Sequence, residues 1–138
     1  MEPGEAVNGG PLVMLVEDFR DTREVTRLML EMQGCRVVEA SNGQEAIELS
    51  QRSRLDLVLM DLNMPVLDGF NATLRIREYE PTRNVPVVAV TAFDSVESRA
   101  AAGAVGCCDY VVKPLDLDNL STLLKRLLPS SNGSKSDA

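Results

Sequence analysis

The sequence predicts an α/β domain with a doubly wound, parallel five-stranded sheet and five helices. Short runs of apolar, β-branched residues alternate with longer segments of helical periodicity, which is typical of right-handed βαβ units. One run near the middle of the chain is apolar on both faces, as in a strand covered by helices on both sides. The 138 residues suffice for one such domain.

Both ends of the chain differ in composition from the part between them. They are rich in Gly, Pro, Ser and Asn and contain little that could be buried. We therefore expect residues 11–128 to form the domain, with flexible tails at residues 1–10 and 129–138.

The first predicted strand comprises residues 12–16, and the first predicted helix comprises residues 21–32. Gly34 is the glycine that commonly follows a helix end. Apolar residues of this helix recur at i, i+3, i+4 and i+7, so we expect them to face the core. They are Val25, Leu28, Met29 and Met32.

The second predicted strand comprises residues 36–40, and the third comprises residues 55–60. Between them, Ser41 and Gln44 have the spacing of a capping box, which predicts Ser41 as the N-cap of the second helix. Because the third strand is apolar on both faces, we place it in the middle of the sheet.

The third predicted helix comprises residues 69–79, and a fourth strand follows at residues 85–90. Asp94 and Glu97 have capping-box spacing and predict the start of the fourth helix, which ends near Gly106.

The fifth predicted strand comprises residues 109–112, and Asp116 is predicted to cap the last helix. The leucines of this helix form one apolar stripe, which spans too few heptads for a zipper and is expected to be core. They are Leu117, Leu120, Leu123, Leu124 and Leu127.

The charge of the chain excludes several functions. Fourteen basic and twenty-one acidic residues give a formal net charge of −7, whereas binding to nucleic acid needs a basic face. No apolar stretch approaches the length of a membrane span, about 18 residues, and no signal peptide is visible. We therefore expect a cytoplasmic protein that binds neither nucleic acid nor membrane, with Cys35, Cys107 and Cys108 as reduced thiols.

The chain contains no histidine. This excludes Ser-His-Asp and Cys-His catalysis, zinc sites built on imidazole, and phosphorylation of a histidine of the chain itself. Any phosphoryl group carried by histidine must come from another molecule.

Polar residues follow the apolar runs at four strand ends. Glu17 and Asp18 follow the first strand, Asp61 the third, Thr91 the fourth and Lys113 the fifth. The carboxyl ends of parallel strands lie along one edge of a sheet, where ligands bind. We therefore expect three acids, a hydroxyl and an amine to meet in one crevice.

With these residues the sequence resembles the receiver domains of response regulators, in particular the stand-alone regulators of chemotaxis and of the sporulation phosphorelay. The resemblance covers nearly all of residues 11–128 and implies the flavodoxin-like receiver fold with strand order 2-1-3-4-5. Each of the motifs is weak alone, but together, in order and at strand ends, they are specific. They are Val16-Glu-Asp18, Met60-Asp-Leu-Asn-Met-Pro65 with Asp68-Gly69, Val90-Thr-Ala92 and Tyr110-Val-Val-Lys-Pro114.

The resemblance implies that Asp61 accepts a phosphoryl group and that Mg²⁺ is the cofactor. A cation cancels the repulsion between a carboxylate and an incoming phosphoryl group. The implied direct metal ligands are Asp18, Asp61 and the backbone carbonyl of Asn63. Glu17 stands where many relatives have Asp, and we expect it to reach the metal through water.

The resemblance also implies roles around the phosphoryl group. Lys113 would pair with Asp61 at rest and with a phosphoryl oxygen afterwards. Thr91 would donate its hydroxyl to the phosphoryl group, and Ala92 its backbone N–H. The Lys113–Pro114 bond is implied to be cis, which would aim the lysine.

Two further pairs of residues are implied to act in switching and in phosphoryl lifetime. Thr91 would move toward the phosphoryl group, and the ring of Tyr110 would turn into the space that it leaves, which changes the surface of the fourth helix, fifth strand and fifth helix. Asn63 and Phe93 flank the path of the hydrolytic water in this family, and we predict that bulky Phe93 slows hydrolysis.

The implied function is a switch of two-component signalling that catalyses only its own phosphorylation and dephosphorylation and is otherwise not an enzyme. The implied phosphoryl donor is a sensor histidine kinase or a histidine phosphotransfer protein. A downstream protein target and a relay role, in which the phosphoryl group passes to a second histidine protein, are both open. We expect a monomer or a weak phosphorylation-dependent dimer.

Two other classes of protein share this fold or these residue types. A phosphatase of the haloacid-dehalogenase kind has Asp-x-Asp after its first strand, whereas Asp61 follows the third strand and Asn63 stands two residues later. A flavin or nucleotide carrier needs a Gly-rich loop after the first strand, where this chain has two acids that would repel phosphate. A degenerate, unphosphorylated receiver that serves only as a docking module is not indicated either, because no key position is missing.

Overall fold

The computed structural model describes residues 9–64 and 68–128. Among them are five strands, five α-helices and a short 3₁₀ turn at Glu80–Thr82. The strands are β1 Leu12–Val16, β2 Arg36–Ala40, β3 Leu57–Asp61, β4 Val87–Thr91 and β5 Asp109–Val112. The helices are α1 Arg20–Met32, α2 Gly43–Ser50, α3 Gly69–Glu78, α4 Val96–Val105 and α5 Leu117–Leu127.

The strands are all parallel and form one sheet in the order β2-β1-β3-β4-β5. The predicted doubly wound sheet, its strand order and its five helices are therefore confirmed. The predicted tails lie outside the described residues except for residues 9 and 10. Among the described residues, no helix is long and apolar enough to cross a membrane.

Alternate residues of the central strands supply two core layers, one on each face of the sheet. On one face Leu15 and Leu59 pack with the leucines of α5, and on the other Met14 and Val58 pack with Ile76 of α3. Every residue of β3 and of β4 is buried, as expected for strands covered on both sides. Most of the predicted α5 stripe is core, with Leu120, Leu123 and Leu124 buried and Leu127 partly buried against them, but Leu117 at the start of the helix is exposed.

The predicted core face of α1 is wrong for three of its four residues, and of the four only Met29, which is partly buried, packs against the core. Val25, Leu28 and Met32 are 56%, 50% and 71% exposed, and the buried residues of α1 are Thr26 and Leu30. Apolar residues occupy several sides of this helix, so the period alone does not determine which side packs against the sheet. The helix therefore presents an apolar stripe to solvent.

Two predicted N-caps are shifted by one residue. In α2 the cap is Asn42, not Ser41, because the Asn42 side chain accepts from the backbone N–H of Glu45. The Glu45 carboxylate accepts from the backbone N–H of Ser41, one residue before the cap, at 2.6 Å, so it does not return to the N–H of the N-cap residue as in a capping box.

In α4 the cap is Ser95, whose hydroxyl accepts from the backbone N–H of Ser98. The predicted cap Asp94 instead forms two hydrogen bonds with Arg99. The predicted cap of α5 is confirmed, since the Asp116 side chain accepts from the backbone N–H of Asn119 at 2.7 Å.

Two central strands lie nearer the carboxyl edge than predicted. The predicted ranges 55–60 and 85–90 become Leu57–Asp61 and Val87–Thr91. Asp61 and Thr91 are consequently the last residues of their strands, held by the sheet itself rather than by a loop.

Candidate functional site

The candidate site lies where the strand order reverses. From β1 the chain passes to β2 on one side and then to β3 on the other, and this switch point is where open α/β sheets bind ligands. Glu17 and Asp18 follow β1, and Asp61 closes the neighbouring β3. Thr91 closes β4, next to β3, and Lys113 follows β5.

Three carboxylates meet at this edge. Glu17, Asp18 and Asp61 each place a carboxylate oxygen within 4.8 Å of the other two. Glu17 and Asp61 are buried, and Asp18 is exposed. Oxygen ligands with this charge suit Mg²⁺, which is commonly held by one or two carboxylates and completed by water and phosphate oxygens. The residues present therefore fit a magnesium site.

The pKa of the Asp61 carboxyl is raised from its ordinary value of 3.8 to about 7. Burial is the largest cause, and the negative charge of Glu17 acts in the same direction. A hydrogen bond from the backbone N–H of Asn63 to Oδ1, at 3.0 Å, and the charge of Lys113 lower the pKa and offset part of the rise. Without a metal, the charge of Asp61 is therefore poorly compensated.

Lys113 contacts both buried acids, but unequally. Its Nζ lies 2.6 Å from Oε1 of Glu17 and 3.5 Å from Oδ2 of Asp61. Burial lowers the pKa of Lys113, yet the hydrogen bond to Glu17 and the charge of Asp61 outweigh it, and the pKa is raised. The Lys113–Pro114 peptide bond is cis. The shorter contact of the ammonium is to Glu17, whereas the family resemblance implied Asp61.

The Thr91 hydroxyl is held by three hydrogen bonds. It accepts from the side-chain amide of Asn63 at 3.0 Å and from the backbone N–H of Phe93 at 3.1 Å, and it donates to the Phe93 carbonyl at 3.2 Å. The hydrogen bond to Asn63 could not be predicted from the sequence. It joins side chains 28 positions apart, and it depends on which rotamer each of them adopts. Ala92 follows Thr91 and is exposed.

Tyr110 is connected to Thr91 through the same carbonyl. The Tyr110 hydroxyl donates to the Phe93 carbonyl at 3.3 Å, and the Arg99 guanidinium lies 4.5 Å from the centroid of the Tyr110 ring. Arg99 is also paired with Asp94. The contacts of Arg99 could not be predicted from the sequence, because its position five residues after Asp94 is not typical of any motif.

Gly69 allows α3 to begin directly against the end of β3. A Cβ atom at this position would lie 2.3 Å from the Asp61 carbonyl oxygen and 2.7 Å from Cα of Leu62. No side chain fits there, so only glycine lets the start of α3 lie directly against the backbone of Asp61 and Leu62. Pro65, which belongs to the motif that begins at Met60, lies outside the described residues.

Three acids that could hold a divalent metal, with a lysine beside two of them, are the groups that transfer of a phosphoryl group to a carboxylate needs. A site of this kind at the carboxyl edge of a doubly wound sheet is what a phosphoryl-accepting signalling domain requires. Comparison with known protein families agrees. The model of the response regulator receiver domain matches residues 13–125.

Characterised relatives show the same similarity in sequence and in structure. The polar-differentiation response regulator DivK of Brucella anthropi is 32% identical over 116 residues, which cover 84% of this chain and 94% of that protein. The receiver domain of the sensor histidine kinase PA1611 of Pseudomonas aeruginosa, crystallised with magnesium in its active-site cleft, superposes with a TM-score of 0.82 at 37% identity. That match covers 88% of this chain and 99% of the PA1611 domain.

A second structure is a complex with a phosphotransfer protein. The receiver domain of Ssk1 of Saccharomyces cerevisiae, crystallised with the histidine phosphotransfer protein Ypd1, gives a TM-score of 0.79 at 31% identity and covers 86% of this chain and 88% of that one. Some relatives are much longer, and the match spans only 16% of the autoinducer sensor kinase/phosphatase CqsS of Vibrio cholerae.

The chain belongs to the response regulator receiver domain family. It is a two-component signalling protein that accepts phosphoryl groups and acts through partners, with Mg²⁺ as its cofactor. This membership does not fit the phosphatase and nucleotide-carrier alternatives.

Proposed function

We propose that Asp61 is the phosphoacceptor and that the chain catalyses its own phosphorylation. The observation that carries the proposal is the meeting of three carboxylates at the sheet's switch point, within reach of one lysine. Asp18 and Asp61, with the Asn63 carbonyl, would hold Mg²⁺, and Glu17 would reach it through water. Bound Mg²⁺ supplies the positive charge that lets a carboxylate approach a phosphoryl group.

In the proposed reaction an ionised Asp61 oxygen attacks the phosphorus of a phosphohistidine. The new P–O bond forms as the P–N bond breaks, and the leaving imidazole takes a proton. Lys113 pairs with one phosphoryl oxygen, and the Thr91 hydroxyl and the Ala92 N–H donate to others. Lys113, Thr91 and Asp61 are thus the catalytic residues.

Activation would follow from the hydrogen bonds that Thr91 gives up. When its hydroxyl turns to the phosphoryl group, it leaves the Asn63 amide and the Phe93 carbonyl, which the Tyr110 hydroxyl shares. Thr91 and Tyr110 therefore form the proposed switch, and the loop between β4 and α4 transmits the change. Asn63 and Phe93 are proposed to set the lifetime, since both contact Thr91 beside the site.

The phosphoryl donor is proposed to dock on the exposed apolar stripe of α1. Val25, Leu28 and Met32 face solvent on the helix that begins next to Asp18. A groove of about 330 Å³ between α1 and the segment after β5 reaches from Val25 to Lys113. Exposed apolar surface of this kind marks protein interaction sites, and the Ssk1 receiver domain was crystallised with a histidine phosphotransfer protein.

The donor would be a sensor histidine kinase or a histidine phosphotransfer protein, and the output would be a downstream protein or a second phosphotransfer protein. A monomeric or weakly dimeric state and a cytoplasmic location stay predictions from the sequence.

Intact mass spectrometry after incubation with acetyl phosphate or phosphoramidate and Mg²⁺ tests the assignment of Asp61. The parent chain is expected to gain one phosphoryl group, and Asp61→Asn or omission of Mg²⁺ is expected to abolish the gain. Asp116 is an acid at the N-cap of α5. The variant Asp116→Asn therefore serves as the matched control and should still be labelled. Labelling of Asp61→Asn to the level of the parent would reject the assignment.

Docking on α1 is tested with phosphorylated Ypd1 as donor. Leu28→Asp is expected to slow transfer at least tenfold while leaving labelling by acetyl phosphate unchanged. Leu74→Asp is the control, since Leu74 is an apolar residue of α3 that is also exposed. Equal transfer rates in both variants would place the donor elsewhere.

A further inference from the structure

Glu17 has both carboxylate oxygens engaged although it belongs to a proposed metal site. Oε1 accepts from Lys113 Nζ at 2.6 Å, and Oε2 accepts from the backbone N–H of Phe19 at 3.0 Å. The backbone of Glu17 is fixed as well, because its N–H donates to the Ala40 carbonyl and its own carbonyl accepts from Arg23. The side chain is only 5% exposed. This carboxylate is therefore held in one orientation.

We propose that Glu17 is a positioning residue. It holds the Lys113 ammonium near Asp61 but hydrogen-bonded to Glu17, until a phosphoryl group arrives. The inference rests on the proposed function of Asp61 and Lys113. In this role the length of the Glu17 side chain matters, because the carboxylate has to reach Lys113.

The two contacts of Lys113 differ in kind. At 2.6 Å the bond to Glu17 is a short charge-assisted hydrogen bond, whereas 3.5 Å to Asp61 is at the outer limit for one. Both acids are buried, so solvent weakens neither contact selectively. The ammonium therefore has one strong partner, and that partner is Glu17.

The extra methylene of Glu17 explains this choice. An aspartate in its place would carry its carboxylate one carbon nearer the end of β1 and further from Lys113. The ammonium would then have Asp61 as its nearest acid. A glutamate thus leaves Oδ2 of Asp61 without a strong hydrogen bond, and Lys113 changes partner from Glu17 to the phosphoryl oxygen when the group is transferred.

NMR of the metal-free chain in EDTA tests this partner choice directly. The measurement is the correlation, across the hydrogen bond, between Lys113 ¹⁵Nζ and a carboxyl ¹³C, with Lys113→Arg used to assign the signal. In the parent we expect a correlation to the Glu17 carboxyl and none to the Asp61 carboxyl. In Asp61→Asn the Glu17 correlation should persist.

The charge-matched variant Glu17→Asp gives the second readout. The Lys113 correlation is expected to move to the Asp61 carboxyl, and in Glu17→Gln the ¹⁵Nζ signal should shift in the same direction. A correlation to the Asp61 carboxyl in the parent would overturn the inference. It would also be overturned if the Lys113 ¹⁵Nζ signal had the same position in the parent, in Glu17→Asp and in Glu17→Gln. No metal or phosphoryl donor is present, so the result can be read even if Asp61 is never phosphorylated.

Discussion

Replacing Asp61 with asparagine is expected to stabilise the metal-free chain at neutral pH. The carboxyl is buried beside Glu17, and its pKa is raised to about 7. Asparagine removes the charge and keeps an oxygen for the Asn63 N–H. Lys113 retains its shorter bond to Glu17, so the substitution leaves no ammonium without a partner.

The size of the effect follows from the pKa. A carboxyl whose pKa rises from 3.8 to about 7 on folding lowers the free energy of unfolding by about 4 kcal/mol once it is ionised, at about 1.4 kcal/mol per pH unit. The asparagine NH₂ must be buried in its place, which costs about 1–3 kcal/mol. We therefore expect a net gain of about 2 kcal/mol.

The gain should depend on pH in one direction. Below about pH 4 the carboxyl is protonated in both states and the substitution removes no charge. As the pH rises from about 4 to about 7, the unfolded chain ionises first and the folded parent loses stability. The advantage of Asp61→Asn should therefore grow across this window and level off above it.

Urea unfolding in EDTA across this pH range measures the gain. Asp18→Asn is the control, since Asp18 is exposed and such changes usually stay within about 0.5 kcal/mol. An Asp61→Asn variant no more stable than the parent at about pH 8 would refute the reasoning, and so would a gain of equal size at both ends of the range.

Three further predictions concern the metal, the loop after β3 and the lifetime. Mg²⁺ at a hundred times its dissociation constant should stabilise the parent by about 2.7 kcal/mol and Asp61→Asn by much less, which thermal unfolding with and without Mg²⁺ will show; equal shifts would place the metal elsewhere. Gly69→Ala should destabilise by more than about 3 kcal/mol because its Cβ would meet backbone, whereas Gly103→Ala, in open space on α4, should stabilise by about 0.5–1 kcal/mol; denaturant unfolding of both variants decides, and a tolerated Gly69→Ala would contradict the contact. Phe93→Glu should speed loss of the phosphoryl group, followed by mass spectrometry after donor removal, and an unchanged rate would show that Phe93 does not hinder the water.

The sheet could be predicted from the sequence because its central strands are buried on both faces. The prediction therefore did not have to decide which face of these strands packs against the core. The runs ending at Asp61 and Thr91 are apolar on both sides, whereas the strand order that brings them next to β1 was implied by the family resemblance. The positions of Glu17, Asp18 and Lys113 at one edge follow from parallel strands alone.

Choices between similar surfaces and similar partners could not be predicted. Helix α1 has apolar residues on several sides, and only packing shows that Leu30 faces the sheet and Met32 faces solvent. Whether Lys113 bonds to Glu17 or to Asp61 depends on differences below one ångström, which rotamers decide. Residue spacing contains no information at that scale.

The Arg77 side chain fixes the C-terminal end of α4. Its guanidinium donates to the Gly106 carbonyl, at the C-terminus of α4, and also to the carbonyls of Arg83 and Val85 ahead of β4. At the other end Val96 is 81% exposed. A ten-residue helix is about 15 Å long, so a tilt of about 10° around Gly106 carries Val96 through about 2–3 Å. If the loss of a hydrogen bond in the loop before α4 tilts the helix, the displacement would therefore be largest near Val96 and smallest at the end that Arg77 holds.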